Sequence, residues 1–288
     1  MRYKLLGRTG LRVSELAFGT MSFGTEWGWG ADKAECRRMF DAYVEAGGNF
    51  FDSANRYTEG TSEKYLGEFI RDDRQRYIVA TKYTLWTRRD DPSFSGNHRK
   101  NMVQACEASL QRLGTETIDL YWVHAWDFTT AVDEVMRALD DLVRSGKVLT
   151  IGISDTPAWI VSRANTLAEL RGWTRFAALQ TRYSLIDRTA EGDLLPMARA
   201  YDMAVTPWSI LGAGVLTGKY NADPAAEGRA KEGAAKVEHN LKVAAEVVAI
   251  ANDIGCTPSQ VAISWVRSQP GVIVPLVGAN SLAQLQDN

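Results

Sequence analysis

Short apolar runs rich in β-branched residues alternate along this chain with longer stretches whose apolar positions recur at helical spacing. The short runs predict strands at Leu16–Gly19, Asn49–Asp52, Tyr77–Lys82, Ile118–His124, Leu149–Ser154, Ala177–Gln180, Met203–Thr206 and Val272–Pro275. Several are apolar almost without a break, as parallel strands covered on both faces should be. The longer stretches predict helices at Asp32–Ala46, Asn97–Leu113, Thr129–Ser145, Thr156–Leu170, Asn240–Ile254 and Thr257–Ser268. Their ends carry the matching punctuation. Asp32 is placed to cap, glycines follow several last turns, and Pro157 and Pro258 sit in first turns, where a missing N–H costs no bond.

Strict alternation of strand and helix predicts a parallel sheet. Eight strands fit a closed (β/α)8 barrel, an architecture of about 250 residues, better than an open sheet. An open doubly wound sheet would carry Gly-x-Gly-x-x-Gly after its first strand. No such motif occurs; the nearest glycines, Gly212, Gly214 and Gly218, have another spacing and come late. Lys4–Leu6 and Val13–Leu16, around Gly7 and Gly10, predict a hairpin that plugs the barrel bottom. The stretch 221–232, rich in Ala, Gly and charge, predicts a loop and not a boundary, so the chain reads as one domain over 1–288.

Composition alters this picture little. The 45% apolar and 24% charged fractions are those of a globular protein, and a net charge of −2 gives no support for nucleic-acid or membrane-surface binding. No apolar run approaches the roughly 20 residues that span a bilayer, and the first residues lack a signal-peptide core. Cys36, Cys106 and Cys256 are far apart, with no metal or disulfide spacing. They read as free thiols in a reducing compartment, which predicts a cytoplasmic protein without a metal site.

Functional side chains of such barrels gather at the C-terminal ends of the strands. Asp52, Lys82 and His124 end three successive predicted strands, and Tyr57 follows in the loop after Asp52. Each has a plain explanation alone: a turn aspartate, a surface lysine, a satisfied core histidine, a packing tyrosine. Their joint occurrence at one end of the barrel favours chemistry. A tyrosine ordinarily titrates near 10, and a neighbouring ammonium should lower that value.

The residues 52–57, Asp-Ser-Ala-Asn-Arg-Tyr, followed by Ser62-Glu63-x-x-Leu66-Gly67, resemble the signature of aldo-keto reductases. So do Ala80-Thr-Lys82, Ile118 to His124, Ile151 to Ser154, Gln180 to Arg188, Trp208 to Tyr220, and Val274 to Ala279 with Gln284 and Asn288. The resemblance runs in order along essentially the whole chain. It is greatest to the branch of aryl-alcohol dehydrogenase-like enzymes and potassium-channel β-subunits. It implies a TIM-type barrel, an NADPH or NADP+ cofactor with NADH possible, and a small carbonyl or alcohol substrate. It also implies a catalytic tetrad of Asp52, Tyr57, Lys82 and His124. In that scheme Asp52 orients Lys82, both lower the Tyr57 pKa, and His124 orients the carbonyl. For the cofactor it implies Gly19, Thr20 and Met21 near the nicotinamide ribose, and Ser154, Asp155 and Gln180 at the carboxamide. Asp52 belongs to that set as well. Trp208 would stack on the ring, with Ser209, Leu211, Gly212, Gly214 and Lys219 over the pyrophosphate. Gly278, Asn280, Gln284 and Asn288 would surround the adenosine phosphate.

Three departures stand out. Asp155 replaces the usual Asn; ionised, it accepts hydrogen bonds but cannot donate, and it brings negative charge toward the ring. Asn280 replaces a common Arg that would fork onto a 2′-phosphate, leaving Lys219 and Arg229 as nearby basic residues. Members of the family usually continue past the position of Asn288 into a helix and a tail that often closes one side of the pocket. Aromatics crowd the loops after the strands, and Trp27, Tyr83, Trp86 and Trp126 are expected to wall the substrate pocket. The alternative function is a cofactor-binding, redox-sensing partner subunit with little turnover. The sequence leaves monomer and homo-oligomer open.

Overall fold

The computed structural model describes residues 1–223, 225, 226, 228 and 238–288. An antiparallel hairpin, β1 (Tyr3–Leu5) and β2 (Arg12–Ser14), precedes eight parallel strands. These are β3 (Ala17–Gly19), β4 (Phe50–Asp52), β5 (Ile78–Tyr83), β6 (Ile118–Val123), β7 (Val148–Ser154), β8 (Phe176–Arg182), β9 (Ala204–Trp208) and β10 (Leu276–Val277). They pair in sequence order, and β10 returns to pair with β3, which makes a nearly closed (β/α)8 barrel. Around it lie α1 (Lys33–Glu45), α2 (Thr61–Ile70), α3 (Arg99–Leu113), α4 (Val132–Arg144) and α5 (Ala158–Arg171). They are followed by α6 (Leu194–Ala200), α7 (Lys219–Ala222), α8 (Glu238–Ile254), α9 (Pro258–Arg267) and α10 (Leu282–Asp287). None among the described residues is long and apolar enough to cross a membrane.

The caps form as their residues dictate. The Asp32 side chain accepts the Glu35 amide at the start of α1, and Thr257 forms a reciprocal capping box with Gln260 at the start of α9. The predicted last strand needs correction. Residues 272–275 make a single bridge to β9, with the Val205 amide donating to Val272 and the Val274 amide to Val205, both at 2.8 Å. Pro275 has no amide hydrogen, and its carbonyl accepts from Ala17 at 2.9 Å. The chain thereby crosses from β9 to β3, and the strand proper is Leu276–Val277, paired with Ala17 and Phe18. Of the predicted loop at 221–232, residues 221 and 222 instead end α7, and half of the stretch lies outside the described residues.

Strand parity divides the core in two. Phe50, Ala80, Leu120, Trp122, Ala178 and Ala204 point inward and fill the barrel, while Phe51, Val79, Tyr121, Val123, Ile153 and Leu179 point outward under the helices. The hairpin closes one end of this interior. Leu6 and Val13 are fully buried among the inward residues, and the Lys4 ammonium donates to the Ile273 carbonyl at 2.7 Å. Gly7, at φ 56°, makes that approach possible. A Cβ there would strike the Ala177 carbonyl and lie 2.7 Å from the Asp202 carbonyl.

Candidate active site

Along six of the strands, two residues beyond an inward residue, the next inward position lies at the C-terminal end. Phe50 leads to Asp52, Ala80 to Lys82, Trp122 to His124, Gly152 to Ser154, Ala178 to Gln180 and Thr206 to Trp208. The period of two therefore places six polar or aromatic residues in one layer above the apolar core.

Lys82 is fully buried. Its ammonium bonds the Asp52 carboxylate, the Ser53 carbonyl at 2.7 Å and the Tyr57 hydroxyl at 3.2 Å. The second Asp52 oxygen accepts from the Gln180 amide at 3.1 Å, so the carboxylate is held from two strands. Burial works against the Lys82 charge, but Asp52 and Tyr57 together more than offset it and the lysine is held above its ordinary pKa. Tyr57 departs from the sequence expectation. Burial pushes its phenol above the ordinary value; the Lys82 charge pulls it down, but Asp52 adds to the rise. The lysine acts as expected, yet desolvation wins, and the aspartate works against it.

Tyr57 reaches this layer from a loop that keeps pairing along β5. The Ser53 amide donates to Ala80 at 2.8 Å and the Asn55 amide to Lys82 at 3.1 Å. Beyond Tyr57 the chain turns through Thr58 (φ 44°), Glu59 (φ 55°) and Gly60 (φ 91°) before α2. Three successive left-handed residues are costly and need support. Thr58 donates to the Phe23 carbonyl at 2.6 Å and accepts the Ser62 amide at 3.1 Å. Ser62 in turn lies 2.9 Å from the Ser53 hydroxyl and 2.8 Å from that of Thr20. In the sequence Ser53 and Ser62 stand out only as parts of a signature, and Thr58 does not stand out at all.

His124 faces Tyr57 edge-on, with ring centroids 5.9 Å apart. Burial, helped by the Lys82 charge, depresses its pKa to about 3, so the ring is neutral. Its Nδ1 is buried without a partner among the described residues. A buried lone pair left unmet is less costly than a buried N–H left unmet. The proton is therefore assigned to Nε2.

Of the expected pocket wall, Trp27 stands edge-on to Tyr57 at 6.4 Å. Trp86 joins through Arg56, whose guanidinium lies 3.9 Å over its ring and 5.6 Å from that of Trp27, and which pairs with Glu59. Arg56 was missed, although it directly precedes Tyr57. Trp126 is buried in the outer core. Tyr83 is a correction: it follows inward Lys82, so it points outward, fully buried and stacked on Tyr121 at 5.3 Å. It does not wall the cleft.

The expected cofactor residues fall into three groups. Around Trp208, which is half-buried, lie Ser154, Asp155 and Gln180; Ser154 pairs in register with Gln180. The Ser154 hydroxyl has no partner among the described residues, whereas the Gln180 amide nitrogen is committed to Asp52 and, at 3.4 Å, to Thr206. The Trp208 indole lies beside the Asp155 carboxylate. Near the front, Gly19 and Gly278 lie side by side with Met21 close in sequence, and the Thr20 hydroxyl is committed to Asp52 and Ser62. The turn after β9 carries Ser209 (φ 57°), Leu211, Gly212 (φ 57°) and Gly214 (φ 92°), with Lys219 folded back over Gly214. At α10, the Asn280 amide donates to Gln284 at 2.9 Å, and Asn288 donates to the Gly278 carbonyl at 3.4 Å. Glu35, unforeseen because it lies far away in sequence, accepts the Leu282 amide at 2.6 Å and pairs with Arg38 at 2.7 Å. Arg229 lies outside the described residues.

These residues fit a nicotinamide dinucleotide: an aromatic face beside an unpartnered hydroxyl and a carboxylate, then a glycine-bearing turn with a lysine above it.

Residues 15–288 match the family model described as the aldo/keto reductase family. The chain is 38% identical over 289 residues to a norsolorinic acid reductase of Emericella nidulans, covering 97% of this chain and 74% of that one. It is 36% identical over 305 residues to an aryl-alcohol dehydrogenase [NADP(+)] of Phanerodontia chrysosporium, covering 97% and 78%. It is also 34% identical over 309 residues to a putative aryl-alcohol dehydrogenase of Saccharomyces cerevisiae, covering 100% and 81%. With its barrel and its strand-end layer, the chain belongs to the aldo/keto reductase family and is an oxidoreductase.

Proposed function

We propose that the protein reduces an aldehyde or ketone to an alcohol, or runs the reverse reaction, with NADPH as cofactor and Tyr57 as the proton donor. The observation that carries this reading is the Tyr57 hydroxyl 3.2 Å from a buried Lys82 that is itself bonded to Asp52. The bound cofactor supplies the hydride. Tyr57, held protonated by burial, gives its proton to the carbonyl oxygen as negative charge develops there. The Lys82 ammonium then stabilises the phenolate left behind, which burial alone would disfavour. The His124 Nε2–H orients the carbonyl as a neutral donor, and the low pKa of the ring keeps it so across the working range. Asp52 keeps Lys82 charged and aimed.

Trp208, Ser154, Asp155 and Gln180 would hold the nicotinamide end, and the turn from Ser209 to Lys219 the pyrophosphate. The name of the Phanerodontia relative supports NADP(H). Trp27 and the Arg56–Trp86 stack beside Tyr57 favour a flat aromatic substrate, in keeping with the aryl-alcohol relatives. Mixing the protein with NADPH, or separately NADH, and a panel of aromatic aldehydes tests this. Loss of cofactor absorbance, faster with NADPH, is expected; silence with every aldehyde, ketone and alcohol in both directions would refute it.

A further inference from the structure

The charges of the strand-end layer do not balance. Lys82 is bonded to Asp52, Tyr57 is protonated, and His124 is neutral. Arg182, 5.9 Å over the Trp208 ring, is paired with Asp187. Asp155 makes no ion pair among the described residues. It follows Ser154 directly, at φ 38°, and its backbone carbonyl accepts the Trp126 amide at 3.4 Å. Its side chain lies beside the Trp208 indole. The residue as a whole is exposed, but its carboxyl is desolvated, and its charge is felt by both Lys82 and Tyr57.

A carboxylate is not needed merely to face the indole. The carbonyl oxygen of an Asn could meet the same N–H, and Asn tolerates a left-handed backbone at least as well. What Asp155 adds is a negative charge that has no ion-pair partner among the described residues. The oxidised nicotinamide ring is cationic and the reduced ring is neutral, so such a charge beside the ring distinguishes them.

We propose that Asp155 makes the site discriminate between the two oxidation states of the cofactor, holding the oxidised form in preference to the reduced one. The proposal rests on the reading that the nicotinamide lies against Trp208. It makes Asp155 a specificity-determining residue for cofactor state and predicts strong inhibition of carbonyl reduction by accumulated NADP+.

The test is the quenching of tryptophan fluorescence by NADP+ and by NADPH, titrated at about pH 8, where the carboxyl is ionised. Wild type and Asp155→Asn are compared, with 2′,5′-ADP competition as a probe that lacks the ring. In the variant the ratio of the NADP+ to the NADPH dissociation constant should rise on the order of ten-fold, chiefly through weaker NADP+ binding. The 2′,5′-ADP affinity should be unchanged. A variant that binds both forms with the wild-type ratio would overturn the role of Asp155 and leave the cofactor reading standing. Wild-type protein that binds neither form would overturn both.

Discussion

At the scale of residues, the site rests on one buried ion pair and on which groups beside it stay neutral. Asp52 and Lys82 compensate each other inside the barrel, and Tyr57 and His124 are uncharged beside them. This has a consequence for stability. His124 titrates near 6.5 when unfolded but only at about 3 when folded. Between those values the unfolded chain binds the extra proton, so the fold loses stability as pH falls from about 6.5 toward 3. The melting temperature of His124→Gln should fall less steeply over that window than that of the wild type; parallel curves would contradict the assignment. Asp52, Lys82 and His124 were legible in the sequence because each ends an apolar run. Tyr83 was misjudged because proximity in sequence was allowed to outrank parity: one residue past Lys82 is the other face of the sheet. Glu35 and Arg56 were illegible for another reason. Their meaning lies in partners, the amide of Leu282 and the ring of Trp86, which no local pattern brings near.

At the scale of elements, the loop that delivers Tyr57 is strained and is held by hydroxyls and by α2. Ser62→Ala should leave the hydroxyls of Ser53 and Thr20 short of a partner, at a cost of about 1–3 kcal/mol. It should lower kcat, since the turn that aims Tyr57 loosens; a chemical-denaturation curve and a kcat measured together check this. The helix α2 is pressed against the end of α3. A Cβ on Gly67 would lie 2.5 Å from the Leu113 carbonyl, a backbone atom that cannot step aside. Helix propensity alone says that Gly67→Ala stabilises by up to about 1 kcal/mol. The clash should reverse that sign and cost about 1–2 kcal/mol, read as a lower melting temperature. Strand existence and order were legible from apolar runs and their glycine or proline stops. The last strand was placed a few residues early because Val272 to Pro275 is the more β-branched part of its run, while pairing with β3 begins only after Pro275.

At the scale of the whole molecule, the barrel separates stability from chemistry. The hairpin closes one end with Leu6 and Val13, and the polar layer occupies the other. Leu6→Ala should cost about 2–5 kcal/mol of stability by leaving a cavity, while kcat of the folded protein stays close to wild type. A parallel loss of kcat would show that the plug and the site are coupled. At the other end, Tyr57 is proposed to supply the proton in a cofactor-driven carbonyl reduction. The most direct measurement is the steady-state rate of NADPH oxidation by an aromatic aldehyde for wild type and Tyr57→Phe, with cofactor binding followed by tryptophan quenching in both. Turnover is expected in the wild type and a loss of about 10²–10⁴-fold in kcat in the variant, with NADPH still bound. A Tyr57→Phe protein that binds NADPH and reduces the aldehyde at the wild-type rate would contradict it.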